Sequence, residues 1–215
     1  AAASLVDRWA RSLGEGNDVG LAAYRRDDVK LLNDHARAIY RDRGILHGDD
    51  VTVKTAYGDR EFAEGDKVVV RQTVYSEPKA TVLDSKQRRE KWENGDVARV
   101  ARLDGHTLHL TRDRDGATIA MDLNRDNQVD HAYASTKHRE QGATHERELL
   151  FVSRADDARS TLVGMTRHEQ EAHVAFAGED FKRGYADVVR LAERMRSKDL
   201  TTDYTSLGHG REVRA

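Results

Sequence analysis

The sequence predicts an α/β fold in which a mostly parallel sheet is interrupted by a small antiparallel β-barrel. Three observations carry this expectation. Near the start, the apolar run Val19–Ala23 leads through a tight turn into an amphipathic stretch, residues 27–42, which is half of a βαβ unit. In the middle, β-rich runs are separated by Asp104-Gly105 and Asp115-Gly116, dipeptides that favour hairpins. Beyond Val129 apolar strand-like runs alternate again with helical spacing.

The elements follow in order. Leu5, Val6, Trp9 and Leu13 have helical spacing within residues 4–13, and Gly14-Glu15-Gly16-Asn17-Asp18 ends that helix. Val19–Ala23 reads as a short buried strand. The clearest helix spans residues 27–42, with Val29, Leu31, Leu32, Ala36, Ile39 and Tyr40 on one side and Asp27 or Asp28 as its cap. Glu61–Arg71 ends in a strand, and Asp96–Leu103, His106–Arg112 and Ala117–Leu123 complete an inserted barrel over residues 60–125. Then come a strand at Glu148–Ser153, a helix at 156–165, a strand at Ala172–Phe176 and a closing helix at 179–196. The expected domains are therefore 1–59 and 129–197 as two parts of one α/β domain, 60–128 as the insert, and 198–215 as a polar tail or linker.

Composition excludes several classes. With 215 residues, 34% charged and 38% hydrophobic, the chain has room for one large or two small domains with a modest core. No apolar run approaches the ~20 residues of a membrane span, and no signal peptide is visible, so cytoplasmic residence without membrane insertion is expected. There is no cysteine, which excludes disulfides and thiolate metal sites. The net charge of −2 means that any DNA contact must be local.

Two blocks carry the chemistry. The first is Asp130-His131-Ala132-Tyr133-Ala134-Ser135-Thr136-Lys137-His138-Arg139-Glu140-Gln141-Gly142-Ala143-Thr144, and the second is Leu162-Val163-Gly164-Met165-Thr166-Arg167-His168. They resemble the last two motifs of superfamily 1 helicases of the RecD-like branch: D-H-x-Y-A-x-T-x-H-K/R-x-Q-G-A-T, a strand, then V-A-L/M-S/T-R. Val19–Asn33 resembles the opening of the second RecA-like domain in that branch, L-x-L-A-x-T-R/N-x-D-V-x-x-L-N. Phe62-Ala63-Glu64-Gly65-Asp66-Lys67-Val68 is similar to the F-x-x-G-D-R/K-V that enters the inserted barrel, and Asn94-Gly95 matches the Asn-Gly within it. The stretch Ala177–Phe181, Lys198-Asp199 and Asp203-Tyr204 look most like conjugative relaxase–helicases of the TraA/TraI (MobF) type. Those proteins join a DNA-nicking relaxase to a helicase and are handled by a type IV secretion system.

The resemblance implies a RecA-like fold, the second domain of a P-loop NTPase motor. The phosphate loop G-x-x-x-x-G-K-S/T that would begin an ATP site is absent. The chain, which begins Ala1-Ala2-Ala3, is thus expected to be half of a motor within a larger protein. ATP and Mg2+ belong to the whole parent, and this chain alone is not expected to hydrolyse ATP. Arg167 is implied as the arginine finger, since a planar fixed charge stabilises phosphoryl transfer. Gln141, Gly142, Arg139 and Arg25 fall toward the nucleotide. Thr136, His138 and Thr144 fall toward single-stranded DNA, where hydroxyl and imidazole groups suit phosphate oxygens. The sequence departs from the motifs at Glu140, Gly164 and Tyr24, where Ser, Ala and Thr are usual.

Lys86-Gln87-Arg88-Arg89-Glu90-Lys91-Trp92 puts basic residues beside an aromatic at the expected barrel tip. Arg88 and Arg89 are candidates for a phosphate track and Trp92 for a stacking surface, against the alternative that Trp92 simply covers the barrel. Asp122–Gln128 imitates a calcium loop, but Asn127 and Tyr133 stand where Gly and Glu are required. His168-Glu169 with His173 has the wrong spacing for a zinc helix. The expected partners are single-stranded DNA, the N-terminal RecA-like domain and a type IV secretion coupling protein. A competing expectation is a non-catalytic binding module: a translocation signal in residues 60–125, or a vestigial helicase domain that binds single strands.

Overall fold

The computed structural model describes residues 1–76, 90–136, 145–153, 168–177, 185–186 and 189–190. The chain divides into two compact units, one built from residues 1–29 and 136–215 and the other from residues 30–135.

In the first unit, α1 (Ala2–Gly14) buries Leu5, Val6 and Trp9 as its spacing predicts, together with Ala10, while Leu13 is only half-buried. The chain turns through Gly16, at φ 85°, into β1 (Val19–Ala23), which is buried at every position. A continuous apolar run of this kind belongs in the middle of a parallel sheet, covered on both sides. Its partner is β12 (His145–Val152), in parallel register from Val19 opposite Arg147 to Ala23 opposite Phe151. β13 (His168–Phe176) extends the sheet, also in parallel. With the short β11 (Ser135–Thr136) the order is β11-β1-β12-β13. Ala22, Leu150 and Val152 form the core of this sheet, with Val174 and Phe176 packed on it.

Gly20 in β1 lies opposite Glu148 in β12. A Cβ built at Gly20 would stand 2.1 Å from Glu148 Oε2 and 2.5 Å from His145 Cδ2, so the absent side chain makes room for a carboxylate that is itself only 1% exposed.

α2 (Arg26–Asp42) starts with Asp27 and Asp28 in its first turn, where carboxylates complement the helix dipole; they lie inside the helix and not at its cap. Its buried face differs from the expected one. Leu31 is 41% exposed, whereas Asn33 and Arg37 are buried with Val29, Leu32 and Ala36.

The second unit is antiparallel. β2 (His47–Thr55) and β3 (Gly58–Glu64) form a hairpin with Val51 opposite Phe62. β4 (Lys67–Val70), β7 (Val97–Asp104), β8 (Thr107–Arg112), β9 (Thr118–Asp122) and β10 (Val129–His131) form a sheet in the order β10-β4-β7-β8-β9. β5 (Val74–Tyr75) and β6 (Lys91–Trp92) make a further small pair. The core contains Phe62, Val68, Val70, Trp92, Val100, Leu108, Leu110 and Met121. Both expected Asp-Gly turns are present, with Gly105 at φ 57° and Gly116 at φ 72°.

The antiparallel region is larger than residues 60–128. A boundary at residue 60 would cut the β2–β3 hairpin, and β10 pairs with β4 beyond residue 128. The expected helices at 156–165 and 179–196 lie almost wholly outside the described residues, apart from helical turns at 185–186 and 189–190, as does the tail from residue 198.

Candidate functional site

Ligands of open α/β sheets bind beyond the carboxyl ends of the strands. The first unit has that edge at Ala23, Val152 and Phe176, where β1, β12 and β13 end. Arg25 follows β1 directly. Its side chain is 49% exposed and pairs with the exposed Asp27 at 3.6 Å. Thr136 is half-buried in β11, the neighbour of β1 in the sheet. The structure therefore brings these two expected site residues onto adjoining segments of one unit. Arg139, Gln141, Gly142, His138, Thr144, Arg167, Arg88 and Arg89 lie outside the described residues.

The approach to Thr136 is held at successive residues by polar groups of the second unit. Arg60 Nε donates to Asp130 Oδ1 at 2.8 Å. His131 Nε2 lies 3.0 Å from the Glu61 carbonyl, and its ring meets that of Phe62 at 5.1 Å between centroids. The Ala132 N–H donates to the Lys67 carbonyl at 2.9 Å. Tyr133 Oη donates to Asp66 Oδ1 at 2.6 Å. The Ala134 N–H donates to Asn33 Oδ1 at 2.8 Å, while Asn33 Nδ2 reaches the His131 carbonyl at 3.5 Å.

Asp66 is the hub of this network and is fully buried. Gly65 delivers it: at φ 95° the glycine passes so close to Ile45 that a Cβ would stand 2.6 Å from the Ile45 carbonyl oxygen. The Asp66 carboxylate then closes the turn by accepting from the Ala63 N–H at 2.7 Å and takes Arg37 Nε at 3.1 Å. Arg37 and Arg41 also bond Asp50, so a buried carboxylate and a half-exposed one share two guanidinium groups.

The charges respond accordingly. Burial works against the Arg37 charge, but hydrogen bonds and attraction from Asp50 and Asp66 outweigh it and raise its pKa. Burial likewise pushes the Asp50 carboxyl up, yet Arg37 and Arg41 hold it below the usual range. Burial lowers the His131 pKa despite the nearby Asp66 carboxylate. Burial, reinforced by the Asp66 charge, drives the Tyr133 hydroxyl far above its ordinary value. His131 is thus a neutral packing group and Tyr133 a fixed donor, and neither is a proton carrier at neutral pH. Along α2 and the β2–β3 hairpin runs a polar cleft of about 550 Å3, bordered by Lys30, Asp34, Arg37, Arg41 and Arg60. Its arginines already hold carboxylates.

Trp92 corrects the expectation of a stacking surface. It is 0% exposed and sits in the second unit's core, with the Arg112 guanidinium 5.0 Å from its ring centroid. Arg112 is fixed there by Asp96 at 3.0 Å and Asp115 at 2.7 Å. A ring enclosed in this way has no face to offer a nucleobase. At the calcium-like stretch, Asp122 Oδ1 accepts the Asn124 N–H at 3.0 Å and so serves a local turn. Sequence reasoning missed Asn33, Arg37 and Asp66 as a cluster. Asn33 and Asp66 do fall inside the quoted motifs, which was the available signal.

No protein-family profile matches the chain. Among curated proteins it is 28% identical over 209 residues to the probable conjugal transfer protein TraA of Sinorhizobium fredii, covering 95% of this chain and 17% of that protein. It is 28% identical over 202 residues to the conjugal transfer protein TraA of Agrobacterium fabrum, covering 93% and 17%. The chain is a homologue of one segment of TraA. The kinship expected from the motif blocks is borne out, and the chain spans about a sixth of these relatives' length. Among solved structures it is similar to Bacteroides Pif1 bound to single-stranded DNA, with a TM-score of 0.49 and 16% identity over 78% of this chain and 45% of that one. It is also similar to the Pif1 helicase of Candida albicans, with a TM-score of 0.46 and 13% identity over 84% and 50%.

Proposed function

We propose that the chain is the second RecA-like half, with its inserted barrel, of an ATP-dependent DNA helicase within a conjugative relaxase that nicks and unwinds plasmid DNA for transfer. The observation that carries this reading is the clamped segment Asp130–Ala134, which leads into Thr136 and the remainder of the Gln141-Gly142 block, in a chain homologous to TraA along nearly its whole length.

In this reading Arg167 is the arginine finger, opposite a triphosphate held with Mg2+ by the phosphate loop of the parent's N-terminal RecA-like domain. Bound there, ATP supplies the phosphoryl transfer that drives translocation. Arg25 fits a nucleotide phosphate, being a half-exposed cation just past the carboxyl end of a buried parallel strand. Arg139, Gln141 and Gly142 complete the nucleotide side. Thr136, His138 and Thr144 hold the single strand through its phosphates, with Arg88 and Arg89 extending that track. The antiparallel second unit corresponds to the inserted barrel, and a type IV secretion coupling protein is a partner of the parent. In this reading the parent acts in the bacterial cytoplasm; no helix among the described residues is long and apolar enough to cross a membrane.

Two measurements test the proposal. Anisotropy of a labelled single-stranded oligonucleotide across a salt series should give binding that weakens steeply with salt and is lost in Thr136→Ala/His138→Ala. Absence of binding at low salt would remove the DNA track from this chain and favour a protein-recognition module. In the longer parent, Arg167→Ala should lower ATPase activity by ~10³ or more; an unchanged rate removes the finger.

A further inference from the structure

We propose that Asn33 is a positioning residue: its carboxamide sets the backbone of Ala134–Thr136 and thereby the single-strand contacts that begin at Thr136. This inference rests on the helicase reading for its DNA part, though not for its structural part.

Asn33 lies in α2, is 3% exposed and faces a stretch of backbone instead of an apolar partner. Its Oδ1 takes the Ala134 N–H at 2.8 Å and its Nδ2 points to the His131 carbonyl at 3.5 Å, so one side chain brackets Ala132 and Tyr133. Tyr133 is fixed independently, through its hydroxyl, to Asp66. From Asp130 to Tyr133 the segment is held by β3, β4 and the turn between them, through Arg60, the Glu61 and Lys67 carbonyls and Asp66. Ala134 is held by Asn33.

The carboxamide suits this task because it offers an acceptor and a donor on one rigid plane. A leucine of similar volume would fill the space yet leave the buried Ala134 N–H without an acceptor. An aspartate would keep the acceptor, but its second oxygen would face the His131 carbonyl in a buried place, at a cost in stability.

The test uses the 215-residue chain and compares Asn33→Leu and Asn33→Asp with the wild type by hydrogen exchange and by oligo(dT) anisotropy. Asn33→Leu should speed exchange of the Ala134, Ser135 and Thr136 amides by ~10-fold or more, the loss of one buried hydrogen bond, and weaken oligo(dT) binding by about as much. Asn33→Asp keeps the acceptor for the Ala134 N–H and should leave that amide slower to exchange than in Asn33→Leu despite its own buried-charge cost, a rescue that simple destabilisation of α2 would not give. Unchanged exchange in Asn33→Leu overturns the proposal. Faster exchange with unchanged DNA affinity overturns its link to DNA. If the wild type does not bind oligo(dT), the helicase reading of this loop fails, and exchange alone decides whether Asn33 holds the segment. Should Asn33→Leu fail to fold, Asn33→Ala removes the same acceptor without adding bulk; it should raise exchange at these amides, and unchanged exchange there overturns the proposal.

Discussion

Replacing Asp66 by alanine should be the most damaging single change in the antiparallel unit. The carboxylate is fully buried and takes three donors: Arg37 Nε at 3.1 Å, Tyr133 Oη at 2.6 Å and the Ala63 N–H at 2.7 Å. Removing one partner of a buried ion pair costs about 3–5 kcal/mol, because the other charge stays behind. Arg37 keeps Asp50, which lessens that penalty. The Ala63 N–H and Tyr133 Oη lose their acceptor at about 1–3 kcal/mol each, and these losses overlap. A net loss of about 3–5 kcal/mol follows, a large share of the 5–15 kcal/mol typical of whole domains. The two tryptophans fall one in each unit, so in a Trp9→Phe background Trp92 alone reports on the second unit. With a urea slope of about 2 kcal/mol/M, the midpoint should fall by about 2 M. A shift below about 0.5 M would refute the hub role. Asp66→Asn keeps the volume and one acceptor oxygen and should lose roughly half as much, since its amide would face a donor.

Other outcomes concern His131 and Trp92. The fold lowers the His131 pKa, so the unfolded chain, titrating near 6.5, takes up the proton first. His131 therefore contributes fully above about pH 6.5, and stability falls as pH drops toward the folded pKa, by at most about 1.4 kcal/mol per pH unit. His131→Phe should flatten that limb in denaturation midpoints, and an undiminished slope would count against it. Trp92→Ala should cost about 3–5 kcal/mol of stability, while Trp92→Phe should leave oligonucleotide affinity within about twofold. A loss of about tenfold in the Phe variant, the scale of one stacked base, would restore a stacking role.

The parts of the fold legible in the sequence are those with local signals. Val19–Ala23 announces itself as an uninterrupted apolar run, and Asp104-Gly105 and Asp115-Gly116 mark turns whose glycines do take positive φ. β2 gave no such signal. In His47-Gly48-Asp49-Asp50-Val51-Thr52-Val53-Lys54-Thr55 only Val51 to Lys54 alternates, after a polar opening with a glycine, so the strand signal is short, and the folded strand is exposed at all but two positions. The buried network was illegible for another reason. Arg37 and Asp66, or Tyr133 and Asp66, meet only after the chain has folded, and isolated charges on a helix read as solvated. The Asp130–Ala134 block was found by resemblance, yet its visible work is to anchor a backbone. Trp92 beside Lys91 looked like a nucleic-acid surface because sequence adjacency does not reveal which way a strand residue points: Lys91 is exposed, and Trp92 lies in the core.

The discontinuity of the first unit bears on how the protein is made. β1 leaves the ribosome well before its parallel partner β12, which follows more than a hundred residues later, and β13 later still. At ordinary rates of synthesis that is roughly ten seconds or more during which a wholly apolar strand has no sheet to join. The intervening strands pair mostly with near neighbours in sequence and can assemble within that interval. A nascent chain cut between residues 136 and 145 and followed by a spacer long enough to clear the ribosome tunnel should therefore hold a finished antiparallel unit and a strand still waiting for its mate, the natural point for a chaperone to engage.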